Sequence, residues 1–360
     1  MKHHPSEAGL VEAAAEQAVR VLPAADATAI ARWDAFVAGC PAATFFHRSG
    51  WREIIEDVFR HRTYYLYTER SARIEGVLPL ARVKSRLFGD ALVSLPFAVY
   101  GGVAAATQAA AAALEAEAVA LATQLGVDHL ELRNFTARHP DWPTQDLYVT
   151  FRKQILPDPE ANMLAIPRKQ RAMVRKGIKS GLTSAIDATP ERFFDLYADN
   201  VHRHGTPAFS RRYFDALCSV FGTDCEVLTV STPDGKPVSS VLSFYFRDEV
   251  LPYYAGDDVA ARETAANDFK YWELMRRACA RGVKVFDYGR SKKGTGSFAF
   301  KKNWGFEPQP LHYEYRLFRG DAIPQNNPAN PKYRAMIALW RRLPIGLANR
   351  LGPAIVRNLG

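Results

Sequence analysis

Apolar and polar positions change period several times along this chain, and the succession of periods occurs twice. Residues 64–83 alternate with a period of two and read as a β-hairpin. Leu95-Pro96-Phe97-Ala98-Val99-Tyr100-Gly101-Gly102 then leads into an alanine-rich stretch of helical period that Gly126 ends, and Val127-Asp128-His129-Leu130-Glu131-Leu132-Arg133 alternates again. Downstream, residues 226–247 carry a second hairpin pattern around the turn Pro233-Asp234-Gly235-Lys236. Leu251-Pro252-Tyr253-Tyr254-Ala255-Gly256 leads into helical period over 267–281, Gly282 ends it, and Val283-Lys284-Val285-Phe286-Asp287-Tyr288-Gly289-Arg290 follows as a strand. Leu95 and Arg133 lie 38 residues apart, Leu251 and Arg290 lie 39 apart.

Each copy therefore reads strand, strand, strand, helix, strand, which predicts an α/β (α+β) fold with a mixed sheet crossed by a helix, present twice. In the second copy Asn267 or Asp268 is expected to cap the helix start and Gly282 to close its end in a left-handed conformation. A helical segment over 159–181 connects the copies. Arg168, Arg171, Arg175 and Lys179, spaced 3, 4 and 4, fall on one face of it. The expected division is an N-terminal extension (1–40), a first domain (41–156), a second domain opened by the basic helix (157–325) and a tail (326–360).

Composition narrows the function. With 360 residues, 48% apolar and 24% charged, the chain is expected to be globular and to exceed one ordinary core. Cys40, Cys218, Cys225 and Cys279 form no CxxC pair and have no histidine at ligand spacing, so neither a metal site nor a disulfide framework is expected. Glu7, Glu12 and Glu16 interrupt the N-terminal apolar stretch, which argues against a secretory signal, and no run of eighteen apolar residues occurs. A cytoplasmic location follows as the expectation. The net charge of +9 is uneven: 161–186 holds six cations and no acid, as does 325–360. Such clusters favour phosphate-bearing partners, namely nucleic acid, nucleotide-sugar or anionic lipid; a solvated face is the alternative. In the tail (326–360), apolar residues interleave with six cations and Pro344 and Pro353 break the segment into short helices, a pattern that suits peripheral contact with an anionic inner membrane or packing on the second domain.

Residues 287–306 are the densest candidate for chemistry. The stretch begins at a strand end, passes through Gly289, Gly294 and Gly296, and carries Arg290, Lys292, Lys293, Lys301 and Lys302. Glycines let a backbone approach a ligand closely, and the cations make the place positive. It is not a P-loop, because Thr295 stands where the lysine should follow Gly294. His202 and His204, within Asn200-Val201-His202-Arg203-His204-Gly205-Thr206-Pro207, are of the type that serves as a general base near neutrality, His204 being the candidate; a loop histidine that only makes hydrogen bonds is the alternative. No GxSxG elbow is present, which leaves a serine hydrolase unsupported.

Phe286-Asp287-Tyr288-Gly289-Arg290-Ser291, Gly296, Phe300-Lys301 and Trp304-Gly305 together resemble the C-terminal signature of the FemAB family, and residues 171–182 are similar to its basic inter-domain helix. With His204-Gly205-Thr206-Pro207 and the tail, the chain looks like the FemAB-like proteins associated with exosortase/PEP-CTERM and exopolysaccharide gene sets. The resemblance covers roughly residues 40–320. It implies two tandem GNAT-like domains and amide-bond formation on an amine of a cell-envelope or exopolysaccharide precursor, the acceptor being nucleotide- or lipid-linked. It implies an activated donor, acyl-CoA or aminoacyl-tRNA, and no bound cofactor or metal. The coiled-coil arm that some relatives use for tRNA is absent from the pattern, which weakens the tRNA donor. The acetyl-CoA signature of GNAT enzymes is also incomplete: Ser291 stands before Gly294 and Gly296, and Asp257 and Asp258 fall where a pyrophosphate would meet the second helix. On this resemblance Lys301 is the cationic stabiliser of the tetrahedral intermediate, the alternative being a strand-end lysine on the surface. Asp287, Arg290, Ser291 and Lys292 orient substrate, unless Asp287 and Arg290 simply pair. Tyr253 and Tyr254 line the cleft or belong to the core, and Arg171, Arg175 and Lys179 take phosphate. A non-catalytic module that binds a polysaccharide precursor or nucleic acid is the competing reading.

Overall fold

In the computed structural model, residues 18–85, 88–323 and 331–358 are described. Among them the apolar alternation becomes two mixed sheets flanked by helices. The first sheet is laid down by Val19–Val21 (β1), Arg62–Arg70 (β2), Arg73–Ser85 (β3), Gly89–Val93 (β4), Ala104–Ala105 (β5) and His129–Asn134 (β6). β2 and β3 form the expected hairpin, and β4 and β6 run parallel, joined through the helix Gln108–Leu125. Thr107 caps that helix by accepting from the Ala110 amide, and Gly126 closes it at φ +64°.

The second sheet repeats the plan. Tyr148–Gln154 (β7) enters it first, then Thr183–Asp187 (β8), Cys225–Ser231 (β9), Pro237–Phe246 (β10), Glu249–Asp257 (β11) and Val285–Asp287 (β12). β9 and β10 make the hairpin around Gly235, and β11 and β12 are the parallel pair, connected through the helix Ala266–Ala280. Gly282, at φ +73°, ends that helix as expected. Its start differs from expectation. Ala265 in the left-handed region stands at the cap, and Asp268 is buried, accepting from Trp304 Nε1 at 3.0 Å and from Gln170 at 3.1 Å.

The two sheets exchange strands. Ser291–Lys292 (β13) and Pro308–Pro310 (β14) pair with β7, which lies beside β12. The last strand, His312–Leu317 (β15), returns to the first sheet and pairs with β6 over its whole length. A simple cut near residue 156 therefore does not separate the sheets. Residues 18–40 likewise belong to the first half: β1 pairs with β2, and the helix Ala27–Gly39 buries Trp33 and Val37. Residues 1–17 of the expected extension lie outside the described residues.

The connecting segment is two helices, Pro159–Ala165 and Arg168–Lys179, because Pro167 interrupts the predicted continuous one. Gln170, Val174 and Gly177 of the second helix face Ala266–Ala280, which leaves the cations outward. An aromatic seam joins the halves: Phe45 stacks on Phe244 at 4.4 Å, Phe59 lies 5.1 Å from Tyr213, and Trp51 lies 5.2 Å from Phe221. Burying each such ring contributes roughly 1.5–3 kcal/mol, so the seam strongly disfavours separation of the halves.

The tail forms helices Pro331–Trp340 and Ile345–Val356. Ala348, Gly352 and Val356 face inward, with Gly352 hard against the Ala208 carbonyl. His61 donates through Nε2 to the Arg357 carbonyl at 2.6 Å, and His202 to that of Trp340 at 3.1 Å. Packing on the domains thus takes one face of the tail. No helix among the described residues is long and apolar enough to cross a membrane.

Candidate functional site

β11 and β12 pair only at Glu249↔Val285 and Val250↔Phe286, then part. At the mouth of the resulting wedge the chain turns through Asp287, Tyr288, Gly289 (φ +64°) and Arg290. Asp287 is fully buried. It accepts from the Tyr100 hydroxyl at 3.0 Å and the Gly289 amide at 2.7 Å, and Arg152 lies 3.4 Å away. Burial raises its pKa and Arg152 opposes the rise. Arg290 does not pair with Asp287; its guanidinium lies over the Tyr148 ring at 4.6 Å and donates to the Tyr313 hydroxyl at 3.3 Å.

Lys301 sits in the last turn of the helix Gly296–Asn303, whose cap is Thr295. Its ammonium donates to the carbonyls of Tyr288 (2.7 Å), Gly289 (3.1 Å) and Arg290 (3.1 Å). All three protons are occupied in bracing the turn, a role that the sequence reading did not contain. Burial draws the Lys301 pKa down to about 7, while the Asp287 carboxylate opposes that shift. Ser291 is buried beside Ser297, and Lys292 is half-buried on the same short strand.

Between the sheets lies a cavity of about 650 Å³. Tyr100 and Arg152 line it, so the Asp287 network forms part of its floor. Five cations (Arg133, Arg138, Arg152, Lys153 and Arg247) and one carboxylate, Glu249, face it. Arg133 pairs with Glu131, Arg138 with Glu115, and Arg152 with Glu249 and Asp287. Arg247 is held by the carbonyls of Val37, Cys40 and Ala43. Lys153 has no carboxylate partner among the described residues and lies 5.6 Å from the Phe306 ring. The start of Gln108–Leu125 adds its amide dipoles to the same wall. Unpaired positive charge and a helix start together favour an anion.

The wall nearest that helix start is rigidly built. A Cβ on Gly102 would stand 2.9 Å from Asn134 Cα and closer still to its Oδ1. Asn134 donates to Glu314 on the exchanged strand β15 at 2.6 Å. His47, which the sequence reading passed over, donates through Nε2 to the Gly102 carbonyl at 2.7 Å and accepts at Nδ1 from the Thr44 amide at 3.0 Å. Burial holds its pKa down at about 4, so it is neutral. Its only local sign was the Thr44-x-x-His47 capping box.

The other candidates fall elsewhere. Tyr253 and Tyr254 are half-buried in the aromatic seam; Tyr253 donates to the Phe97 carbonyl and Tyr254 shares a hydrogen bond with Tyr213. His204 ends the helix Glu191–Arg203 against the tail, its carbonyl accepting from Arg341 at 3.2 Å. Arg171, Arg175 and Lys179 line a shallow 500 Å³ depression formed by their own helix, and none of them lines the inter-domain cavity. Asp257 is bound by buried Lys270 at 2.9 Å, which offsets the repulsion expected of it.

A family model described as Acetyltransferase (GNAT) domain matches residues 168–302. No curated protein matches the sequence. Among solved structures, FemX is similar with a TM-score of 0.63 and 14% identity, covering 79% of this chain and 96% of FemX. L-PGS from Bacillus licheniformis gives 0.55 and 12%, covering 86% and 96%. A tandem GNAT protein from the clavulanic acid biosynthesis pathway gives 0.51 and 13%, covering 85% and 99%. At these identities the likeness is one of fold: two tandem GNAT-like units, each a mixed sheet flanked by helices.

Proposed function

We propose that this chain is an acyltransferase that joins an activated acyl or aminoacyl group to an amine on a phosphate-bearing acceptor. The observation that carries the reading is the wedge between β11 and β12, within the GNAT-type segment, whose braced 287–290 turn adjoins a cation-lined cavity. The amine attacks the donor carbonyl, a C–N bond forms, and the carbonyl electrons pass to oxygen. Collapse of that oxyanion expels the thiolate of an acyl-CoA, or the ribose hydroxyl of an aminoacyl-tRNA, and the amine proton leaves to solvent or the leaving group. Lys301 fixes the turn and, on exchanging one backbone carbonyl for the developing oxyanion, stabilises the transition state; one such partner is typically worth on the order of 10²-fold in rate. Lys153 and the helix start at Gln108 take the acceptor's phosphate.

The GNAT match supports acyl-CoA as donor, and the cationic cavity supports a nucleotide- or lipid-linked cell-envelope or exopolysaccharide precursor as acceptor. Incubation with labelled acyl-CoAs or aminoacyl-tRNA and UDP-amino-sugars, followed by mass spectrometry, tests the reading. An amide product absent from the Lys301→Met variant supports it. Binding of the acceptor without turnover for any donor favours the non-catalytic module instead.

A further inference from the structure

We propose that the outer face of the C-terminal helix pair is a docking surface for an anionic phospholipid bilayer, independently of the reaction assigned above. Packing consumes only the inner face of these helices. On the other side Met336 (58% exposed), Leu339 (66%), Leu347 (43%) and Leu351 (44%) remain open to solvent. Five of the twelve large apolar residues left exposed among the described residues, these four and Ile345, fall in this short segment, so the exposure is concentrated rather than scattered. Met336 and Leu339 are one helical turn apart, as are Leu347 and Leu351, so each pair shares a face.

Charge selects the occupant. Residues 325–360 contain no acid. Arg341, Arg342, Arg350 and Arg357 are all exposed, and none has a carboxylate partner among the described residues. Arg350 and Arg357 border the same outer face as Leu347 and Leu351. At the foot of the last helix, Arg357 joins Arg60, Arg62 and Lys84 around a 240 Å³ hollow. A leucine ridge edged by cations matches the boundary between acyl chains and phosphate headgroups, where apolar burial and attraction to anionic lipid act together. A second copy of the chain would bring the same cations against each other, which disfavours it.

Co-sedimentation of the full-length protein with phosphatidylglycerol and phosphatidylcholine vesicles tests the assignment. Binding to the former, weakening with salt and absent from the latter, is expected. Replacing Arg342 and Arg350 with Gln should lower partitioning by about fivefold for each arginine removed. Leu347→Glu/Leu351→Glu should abolish binding while the thermal melt is unchanged, because both positions face outward. Equal binding to both lipids, no binding, or binding indifferent to both variants overturns the proposal. So does self-association that Leu347→Glu/Leu351→Glu disperses, which would give the face to a second copy.

Discussion

Acidification should weaken the fold through His47, by an amount that the structure supplies. The unfolded chain takes up a proton at this side chain near the ordinary value of 6.5, whereas the buried imidazole resists it down to about 4. Above pH 6.5 both states are neutral and nothing is lost. Between 6.5 and 4 only the unfolded chain is protonated and stability falls; below 4 the loss is complete. The gap corresponds to about 3 kcal/mol. His61 and His129 are pulled in the same direction by burial, so the wild-type curve alone is ambiguous. His47→Gln isolates the effect. Glutamine does not titrate and keeps a donor within reach of the Gly102 carbonyl, but leaves the Thr44 amide unpaired, costing about 1–3 kcal/mol at neutral pH. Urea unfolding from pH 7 to 4, followed by the fluorescence of Trp33 and Trp51 close by, gives both stabilities. The wild-type advantage should shrink by about 3 kcal/mol and vanish or reverse by pH 4. A difference that stays constant over that range would refute the claim that His47 is held neutral by burial.

Gly102→Ala should cost about 1–3 kcal/mol, seen as a lower melting temperature, because the new methyl meets Asn134 backbone; Gly346→Ala, on an open helix face, should leave the melt level or raise it. Lys301→Met should reduce kcat by on the order of 100-fold in the transfer assay and should also lower the thermal melt, because three carbonyls of the 288–290 turn lose their donor. Since the ammonium is the working form, wild-type activity should fall as pH rises through about 7, and a Lys301→Arg variant, which stays charged, should lose that alkaline fall.

The repeat was readable because its punctuation is local. Gly126 and Gly282 close their helices, and the Pro233–Lys236 turn sets a hairpin, each within a few residues of the pattern it ends. Pro167 was equally visible, yet the helical reading over 159–181 ran through it; the spaced cations all lie beyond it, on the second helix. Non-local facts left no such trace. Lys301 was singled out, but nothing in its spacing shows that its protons meet three carbonyls eleven to thirteen residues earlier. His47 reaches a carbonyl 55 residues away. Asp268 looked like a helix cap because its sequence position suited one, while Trp304 buries it from across the fold. β7 and β15 alternate like any other strand, so their exchange between sheets could not be inferred from either.

That exchange constrains how the molecule can be made. On the ribosome, β6 emerges long before β15, and the wall residue Asn134 waits for Glu314, 180 residues later. The first half therefore leaves the exit tunnel with an open sheet edge, a surface that pairs readily with a neighbouring nascent chain. Its sheet is completed only after most of the second half has been synthesised, so fragments ending between the halves should be prone to aggregation, and growth of the chain, rather than either unit alone, times the appearance of the finished cavity.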